Sequence, residues 1–312
     1  MIEGYRPTFR NEVSFDSLWQ EIKIGRVIKN CNSKIFDKLD NLSISGTTVF
    51  VGHKKYINKL KDPLISGVIC TPDLTDSILE NNKIGVWEYE RPKELFYLVH
   101  ELLIKSNFYV PLFDSVISDE AIIANSASIS SSNVIIGPGT VIGENAVIHA
   151  NSLLGSNCII GTGSIIGADG FEVTRIDGQN RAIKHGGIIE LEDNVEVQCL
   201  VSISKGLFPS QNTVVGKDSK IADRVHINHN VKIGTNGVIC AGVVISGNVI
   251  MKDNVFIAPG AIISNRVTLD SNCFVSIGAV VSKNVGPGMK VTGNLAIEHK
   301  KYLQYLYKTG YF

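Results

Sequence analysis

Aromatic side chains are scarce in this 312-residue chain: Phe, Tyr and Trp together make up 7%, and only two are tryptophan. An ordinary globular core leans on such residues for buried area, so stacked aliphatic side chains are the better expectation. Net charge is absent as well. Lys+Arg and Asp+Glu each number 30, and no overall field draws the chain to nucleic acid or to an anionic membrane. The six cysteines (Cys31, Cys70, Cys158, Cys199, Cys240 and Cys273) form no Cys-x-x-Cys pair. That spacing argues against a zinc site or a disulfide framework, and reduced thiols suit a cytoplasmic protein. No stretch approaches about 18 uninterrupted apolar residues, and the opening MIEGYRPTFRNEV has no apolar signal segment. A soluble intracellular protein that reads a small molecule is expected, with no metal, no nucleic acid and no membrane span.

What the chain does have is a period of six. From Leu191 the steps Val197, Ile203, Pro209, Val215, Ile221, Ile227, Ile233, Ile239, Ile245, Met251, Ile257, Ile263, Leu269, Val275 and Val281 give fifteen aliphatic or Met positions of sixteen. An earlier run is Ile136, Ile142, Ile148, Leu154, Ile160 and Ile166. Three residues after the aliphatic position come Asn145, Asn157, Asn194, Asp218, Asn230, Asn236, Asn248, Asn254 and Asn272. Asn and Asp tolerate the left-handed backbone region that a tight corner needs. Each hexad therefore reads as a short strand plus a turn, and three such sides make a triangular coil. The fold class that follows is mainly β, a left-handed parallel β-helix over residues 111–285, with an N-terminal α/β domain over 1–110 and a short C-terminal tail and helix over 286–312. The period excludes a heptad coiled coil, and the lack of long two-residue alternation excludes a transmembrane barrel.

Two stretches leave the register. Residues 167–188, GADGFEVTRIDGQNRAIKHGGI, form a polar, Gly-rich excursion, and KGLFPSQNT at 205–213 surrounds Pro209. Long excursions from a regular solenoid usually carry function, so the first is expected to touch substrate. In the first 110 residues, TVFVG, SGVICT and IGVWEY read as strands, and HKKYINKL and PKELFYLVHELL as helices. The terminal IEHKKYLQYLYKTGYF reads as a helix whose aromatic stripe packs on the last coil or on a neighbouring subunit.

These hexads resemble the hexapeptide acyltransferase superfamily over about residues 115–295. Within residues 45–235 the chain is similar to the UDP-3-O-acyl-glucosamine N-acyltransferases of lipid A synthesis. VFVGHKKY (49–56) resembles their F-x-x-N-P-K-Y segment, SGVICT their A-V-I-V strand, and GADGFEV (167–173) their G-A-D-G-F-G-F loop. DRVHINHNVKIG (223–234) resembles N-x-V-Q-I-A-H-N-V-x-I-G, which places the family's general base at His229. There are departures. His53 and Lys54 replace the family Asn and Pro, and Asn265 replaces a further His. The tail SIGAVVSKNVGPGMKVTGNLA (276–296) instead resembles the ending of CoA-dependent sugar acetyltransferases.

The resemblance implies a trimeric N-acyltransferase that moves an acyl group from acyl-CoA to a nucleotide-linked amino sugar, with uridine or thymidine left open. It implies that Phe50, His53 and Tyr56 of a nucleotide-binding-like domain hold the nucleotide. Asp169, on the Gly-rich loop with Phe171, is expected to bind the substrate ammonium or to orient His229; His185 is a further candidate. An imidazole titrating near physiological pH suits the removal of a proton from an attacking amine. From its register His229 is expected to project outward at a coil edge, facing a neighbouring subunit. His226 precedes an inward residue and is expected to be structural or to support a neighbouring side chain of the site. The turns at Gly260-Ala261 and Gly278-Ala279 are expected to offer N–H groups to the CoA arm and the thioester oxygen, and Lys283 to sit beside a donor phosphate. Two alternatives stand beside this reading: the lipid A enzyme itself, with acyl carrier protein as donor, and a non-catalytic or metal-binding β-helix, which would need three histidines at one edge.

Overall fold

The computed structural model describes residues 11–309 apart from 41, 82, 294, 295 and 297. The first ten residues, the start of the segment expected to carry no signal, and tail positions 294, 295, 297 and 310–312 lie outside the described residues. From Val116–Ile117 to Lys290–Val291 the chain winds through strands mostly two or three residues long. They stack into three parallel sheets of eight, nine and eight strands, the three sides of a prism. The coil repeats every 18 residues where it is uninterrupted, so Ile227 pairs with Ile245 and Ile239 with Ile257. Two-residue strands suffice because alternate side chains point to opposite faces. The second residue of each pair enters the prism, and the resulting column (Ile203, Ile227, Ile245, Ile257 among others) is wholly buried.

The corners behave as the Asn/Asp pattern predicts. All nine named positions have φ between 55° and 62°. Several also bond to the next coil: the Asn230 amide donates to Asn248 Oδ1 at 3.0 Å, and that of Asn236 to Asn254 Oδ1 at 2.9 Å. The same backbone region is occupied by Leu200 (φ 57°), Arg224 (φ 58°) and Arg266 (φ 62°), where a branched or long side chain costs energy.

The two excursions leave from one edge. Strand Ile165–Ala168 on the third side is followed, after the excursion, by Ile189–Leu191 on the first side. One coil later Ser202–Ser204 leads through the second excursion to Thr213–Val215 on the first side. Pro209 is therefore not a failed repeat position but part of an insertion. Within the longer excursion, Val173–Ile176 and Gln179–Ala182 form an antiparallel hairpin.

The N-terminal part is a five-stranded sheet in the order Arg26–Lys29, Gly85–Glu88, Ile65–Cys70, Thr47–Val51, Ile35–Phe36, antiparallel only at the first pair. HKKYINKL forms a 3₁₀ helix at Lys54–Lys61, and Pro92–Lys105 is an α-helix. The latter buries Leu95, Phe96, Tyr97, Val99 and Leu103. These join Ile183, Ile188, Leu207 and Phe208 of the excursions in one apolar cluster. His100 Nε2 meets the Lys184 carbonyl at 3.2 Å, and Arg181 pairs with Glu101. The excursions are thus the surface on which the N-terminal sheet is seated.

The C-terminal helix, His299–Thr309, buries none of its residues. Its expected packing on the last coil is not made: Tyr302, Leu303, Tyr305 and Tyr307 are all exposed. The 11-residue helix carries three lysines and no acidic residue. All six cysteines are free thiols. Among the described residues no helix is long and apolar enough to cross a membrane.

Candidate functional site

His229 lies between strands His226–Ile227 and Lys232–Ile233, on the same prism edge as the two excursions. The ring lies outside the aliphatic column, at the coil edge its register predicts, but it is covered by the chain's own loop and not left open to a neighbouring subunit. Only 5% of it is exposed within a single chain. The Gly-rich loop folds back over the corner, so no second subunit is needed to shield the ring. A Cβ added to Gly170 would lie 2.8 Å from His229 Nδ1, 2.9 Å from His185 Nε2 and 2.6 Å from Asn228 Oδ1. On the other side, a Cβ on Gly247 would come within 2.8 Å of His229 Nε2. Glycines on both sides let the backbone close on the ring.

His185, a lesser candidate in the sequence, proves to be the nearest neighbour. The two imidazole centroids are 5.1 Å apart, with the planes at 64°. The Nδ1–H of His185 donates to the Ile183 carbonyl at 3.0 Å, which leaves the Nε2 lone pair free. That Nε2 and His229 Nδ1 are buried without a hydrogen-bond partner among the described residues. Unpaired buried nitrogens cost about 1–3 kcal/mol each. Burial first, and then His229, pushes His185 well below the usual imidazole range. Burial also lowers His229, opposed by the Glu172 carboxylate and reinforced by Lys38. Two neutral imidazoles, one able to act as a base, is the state this environment favours. His226 is half-buried on the outer face, lowered by burial alone.

Glu172 was not singled out in the sequence. Its Oε1 accepts from Lys38 Nζ at 3.0 Å and from the Tyr97 hydroxyl at 2.9 Å. Burial disfavours its charge, but Lys38 and Tyr97 outweigh that and hold the carboxyl below its ordinary range. Asp169 is similarly placed between Lys205 at 3.1 Å and Lys184 at 3.6 Å, which overcome burial and keep it ionised.

A cavity of about 290 Å³ opens between the N-terminal sheet and this edge, lined by Lys38, Leu39, Asp40, Phe50, Tyr56, Lys93, Tyr97, Glu172 and Arg266. Of the expected nucleotide-holding residues, the structure brings Phe50 and Tyr56 to this wall. His53 is elsewhere: its Nδ1 accepts from the Lys55 amide at 3.2 Å and caps the 3₁₀ helix. Phe171 also misses the cavity, with 82% of it exposed. Arg266 did leave a signal in the sequence, an arginine in a corner slot elsewhere filled by Asn. Lys38, Lys93 and Tyr97 left none, because only the docking of the N-terminal sheet brings them here.

The second loop is anchored by Asp37, 1% exposed. Asp37 accepts from the Ser210 hydroxyl and from Gln211 Nε2 at 2.9 and 3.2 Å. The Gln211 Oε1 in turn accepts from Asn230 at 3.0 Å. Burial raises the Asp37 carboxyl to about 7 in spite of these bonds.

The remaining candidates lie apart. Gly260 (φ 68°) and Gly278 (φ 62°) sit at the corner between the second and third sides, a different edge from His229. The expectation that they offer free N–H groups is corrected: both donate to the coil below, to the Ala241 and Pro259 carbonyls at 3.0 and 2.9 Å, and Ala279 donates to the Ser276 carbonyl at 3.2 Å. Ala261 and Ala279 turn into the core. Lys283 and Ala279 share a cavity of about 230 Å³ at the last coil. Among the described residues no cluster of three or more His, Cys, Asp or Glu is arranged to hold a metal.

Comparison with known proteins bears on this geometry. The bacterial transferase hexapeptide family (six repeats) matches residues 139–169 and 212–247. UDP-3-O-acylglucosamine N-acyltransferase 1 of Legionella pneumophila, from strains Paris and Philadelphia 1, is 38% identical over 64 residues, 20% of this chain and 18% of that protein. The chain thus spans less than a fifth of the length of the curated relatives it matches. Among solved structures, the Arabidopsis UDP-N-acetylglucosamine acyltransferase is 24% identical, covering 64% of this chain and 76% of its own, with a TM-score of 0.42. The Francisella novicida enzyme of the same name is 27% identical, covering 57% and 66%, with a TM-score of 0.38. Repeat, corner chemistry and prism agree: the chain carries the bacterial transferase hexapeptide repeat, wound as a left-handed parallel β-helix.

Proposed function

We propose that the protein is an N-acyltransferase that moves an acyl group from acyl-CoA to the amino group of a dTDP- or UDP-linked amino sugar, for surface glycan synthesis. One observation carries this reading: a cavity with aromatic and cationic walls is lined by Glu172, which belongs to the loop that closes over the imidazole pair of His185 and His229. Phe50 and Tyr56 suit the flat face of a base, and Lys38, Lys93 and Arg266 suit a diphosphate. His229 is the general base. The amine nitrogen attacks the thioester carbon, its proton passes to the imidazole, the C–S bond breaks, and the thiolate leaves with that proton. Such a base typically contributes about 10²–10⁴-fold.

The acyl donor is assigned to the glycine turns at Gly260 and Gly278 and to Lys283. The two glycine turns lie on another edge of the prism, while Lys283 stands three coils along the His229 edge. Glycine turns and base therefore meet only when two subunits stand side by side, which is the basis for a homotrimer. The similarity of GADGFEV and HINHNVKIG to segments of the lipid A enzymes supports the acceptor class, and that of the 276–296 tail supports CoA. The protein is placed in the cytoplasm, where nucleotide sugars and CoA thioesters are found together.

The test is an assay of the purified protein with acyl-CoA or acyl carrier protein as donor and a panel of UDP- and dTDP-amino sugars. Release of CoA thiol with formation of an amide supports the reading. Turnover with acyl carrier protein alone would assign the lipid A type of reaction instead. No turnover with any donor or acceptor would favour a non-catalytic β-helix.

A further inference from the structure

The cavity wall carries two carboxylates, Asp40 and Glu172. Asp40 is exposed and bonded to Lys59 at 2.7 Å. Glu172 is mostly buried, and its loop also supplies Gly170, the residue closed over both imidazoles. Both donors to Glu172, Lys38 Nζ and Tyr97 OH, land on Oε1. Among the described residues Oε2 keeps its lone pairs. Asp169, the acidic residue that the sequence suggests for this role, is enclosed by two lysines and is not part of the wall. The loop form that GADGFEV resembles has glycine where this chain has Glu172.

A hydroxyl acceptor has no need of a fixed negative charge beside its base. An amine does, because at neutral pH it arrives as an ammonium ion that must be held before it can be deprotonated. From the position of Glu172 we infer that it is the residue that selects an amine over a hydroxyl acceptor, receiving the substrate ammonium on Oε2 beside His229. This rests on the acyltransferase reading given above and specifies its acceptor. In the bound state the ammonium donates to Oε2 while Lys38 and Tyr97 hold Oε1. One proton passes to solvent to free the amine, and the His229 imidazole takes the second as the C–N bond forms and hands it to the leaving thiolate.

The experiment is isothermal titration of the full-length protein with two nucleotide sugars that differ only in carrying an amino or a hydroxyl group at the acylated carbon, with the free nucleotide as a third ligand. Wild-type protein should prefer the amino sugar by about 10- to 100-fold, the span of one charge-assisted contact. Glu172→Gln keeps an oxygen for Lys38 and Tyr97 and so preserves the wall. It should erase the preference and leave affinity for the free nucleotide within about twofold. A variant that retains the preference overturns the assignment, and so does one that loses all three ligands equally, which would make Glu172 a structural pin. Wild-type protein that binds the free nucleotide but neither sugar would overturn this assignment alone. Wild-type protein that binds none of the three would overturn the nucleotide-sugar reading together with it.

Discussion

Gly170 is closed directly over His229: a methyl carbon on the glycine would stand 2.8 Å from the ring nitrogen Nδ1. That spacing is below any ordinary carbon–nitrogen contact. Gly170→Ala should therefore displace the loop or tilt both imidazoles. The expected result is at least a tenfold loss of kcat, with destabilisation of about 1–3 kcal/mol typical of overpacking. Thermal melts and steady-state assays on the same preparation check this. Wild-type kcat would mean the loop yields freely.

His229→Ala should lower kcat by about 10²–10⁴-fold and leave KM for the nucleotide sugar nearly unchanged, since the ring is not part of the cavity wall. Retention of more than about a third of wild-type kcat at pH 7 would show that the amine loses its proton by another route.

Asp37 gives a pH dependence of defined sign. Its carboxyl lies at about 7 when folded, against 3.8 as the reference value. A raised value means the folded state holds the proton more tightly, so this contribution is full below pH 3.8 and is lost as pH rises to about 7. The whole displacement corresponds to on the order of 4 kcal/mol. Stability by denaturant titration should fall between about pH 4 and pH 7 in the wild type, and Asp37→Asn should flatten that slope. An unchanged slope would remove Asp37 as its source.

Arg266 occupies left-handed backbone at φ 62°, where Asn230 (φ 60°) and Asn248 (φ 61°) fill the same corner on earlier coils. Arg266→Asn should stabilise the fold by about 1 kcal/mol while weakening nucleotide binding about tenfold through loss of a charged wall residue. Melting temperature and calorimetric affinity should thus move in opposite senses. If both rise, the arginine has no part in the cavity.

Sedimentation at micromolar concentration should give a trimer, because the glycine turns and His229 lie on different edges of one chain. A stable, active monomer would separate the two features for good.

The prism was open to reading because its information is local and periodic. An inward Ile or Val every six residues and an Asn three later dictate strand and corner without reference to anything distant. The Pro209 region and the loop at 167–188 were visible as breaks in that period. The site was legible only in part. His229 stood out by its motif, but its burial did not, because the lid over it comes from a loop some 60 positions away. Glu172, Lys38 and Tyr97 meet across 134 and 75 residues, and nothing in the neighbourhood of Lys38 marks it. His53 stands within a segment that resembles a nucleotide-binding motif, in place of its Asn, yet its ring bonds the local backbone. A short polar side chain at a helix start is as readily drawn to the backbone as to a ligand.

Both excursions leave the prism at one edge, and the consequence concerns how such a molecule can change. Each coil touches only the coils above and below it, so residues added at this edge do not disturb the register of the other two. Ile166 and Leu191 hold adjacent places in the stack with 24 residues between them, just as Ile227 and Ile233 do with five. The edge works as a splice point: loop length and chemistry can be exchanged there while the aliphatic column keeps count.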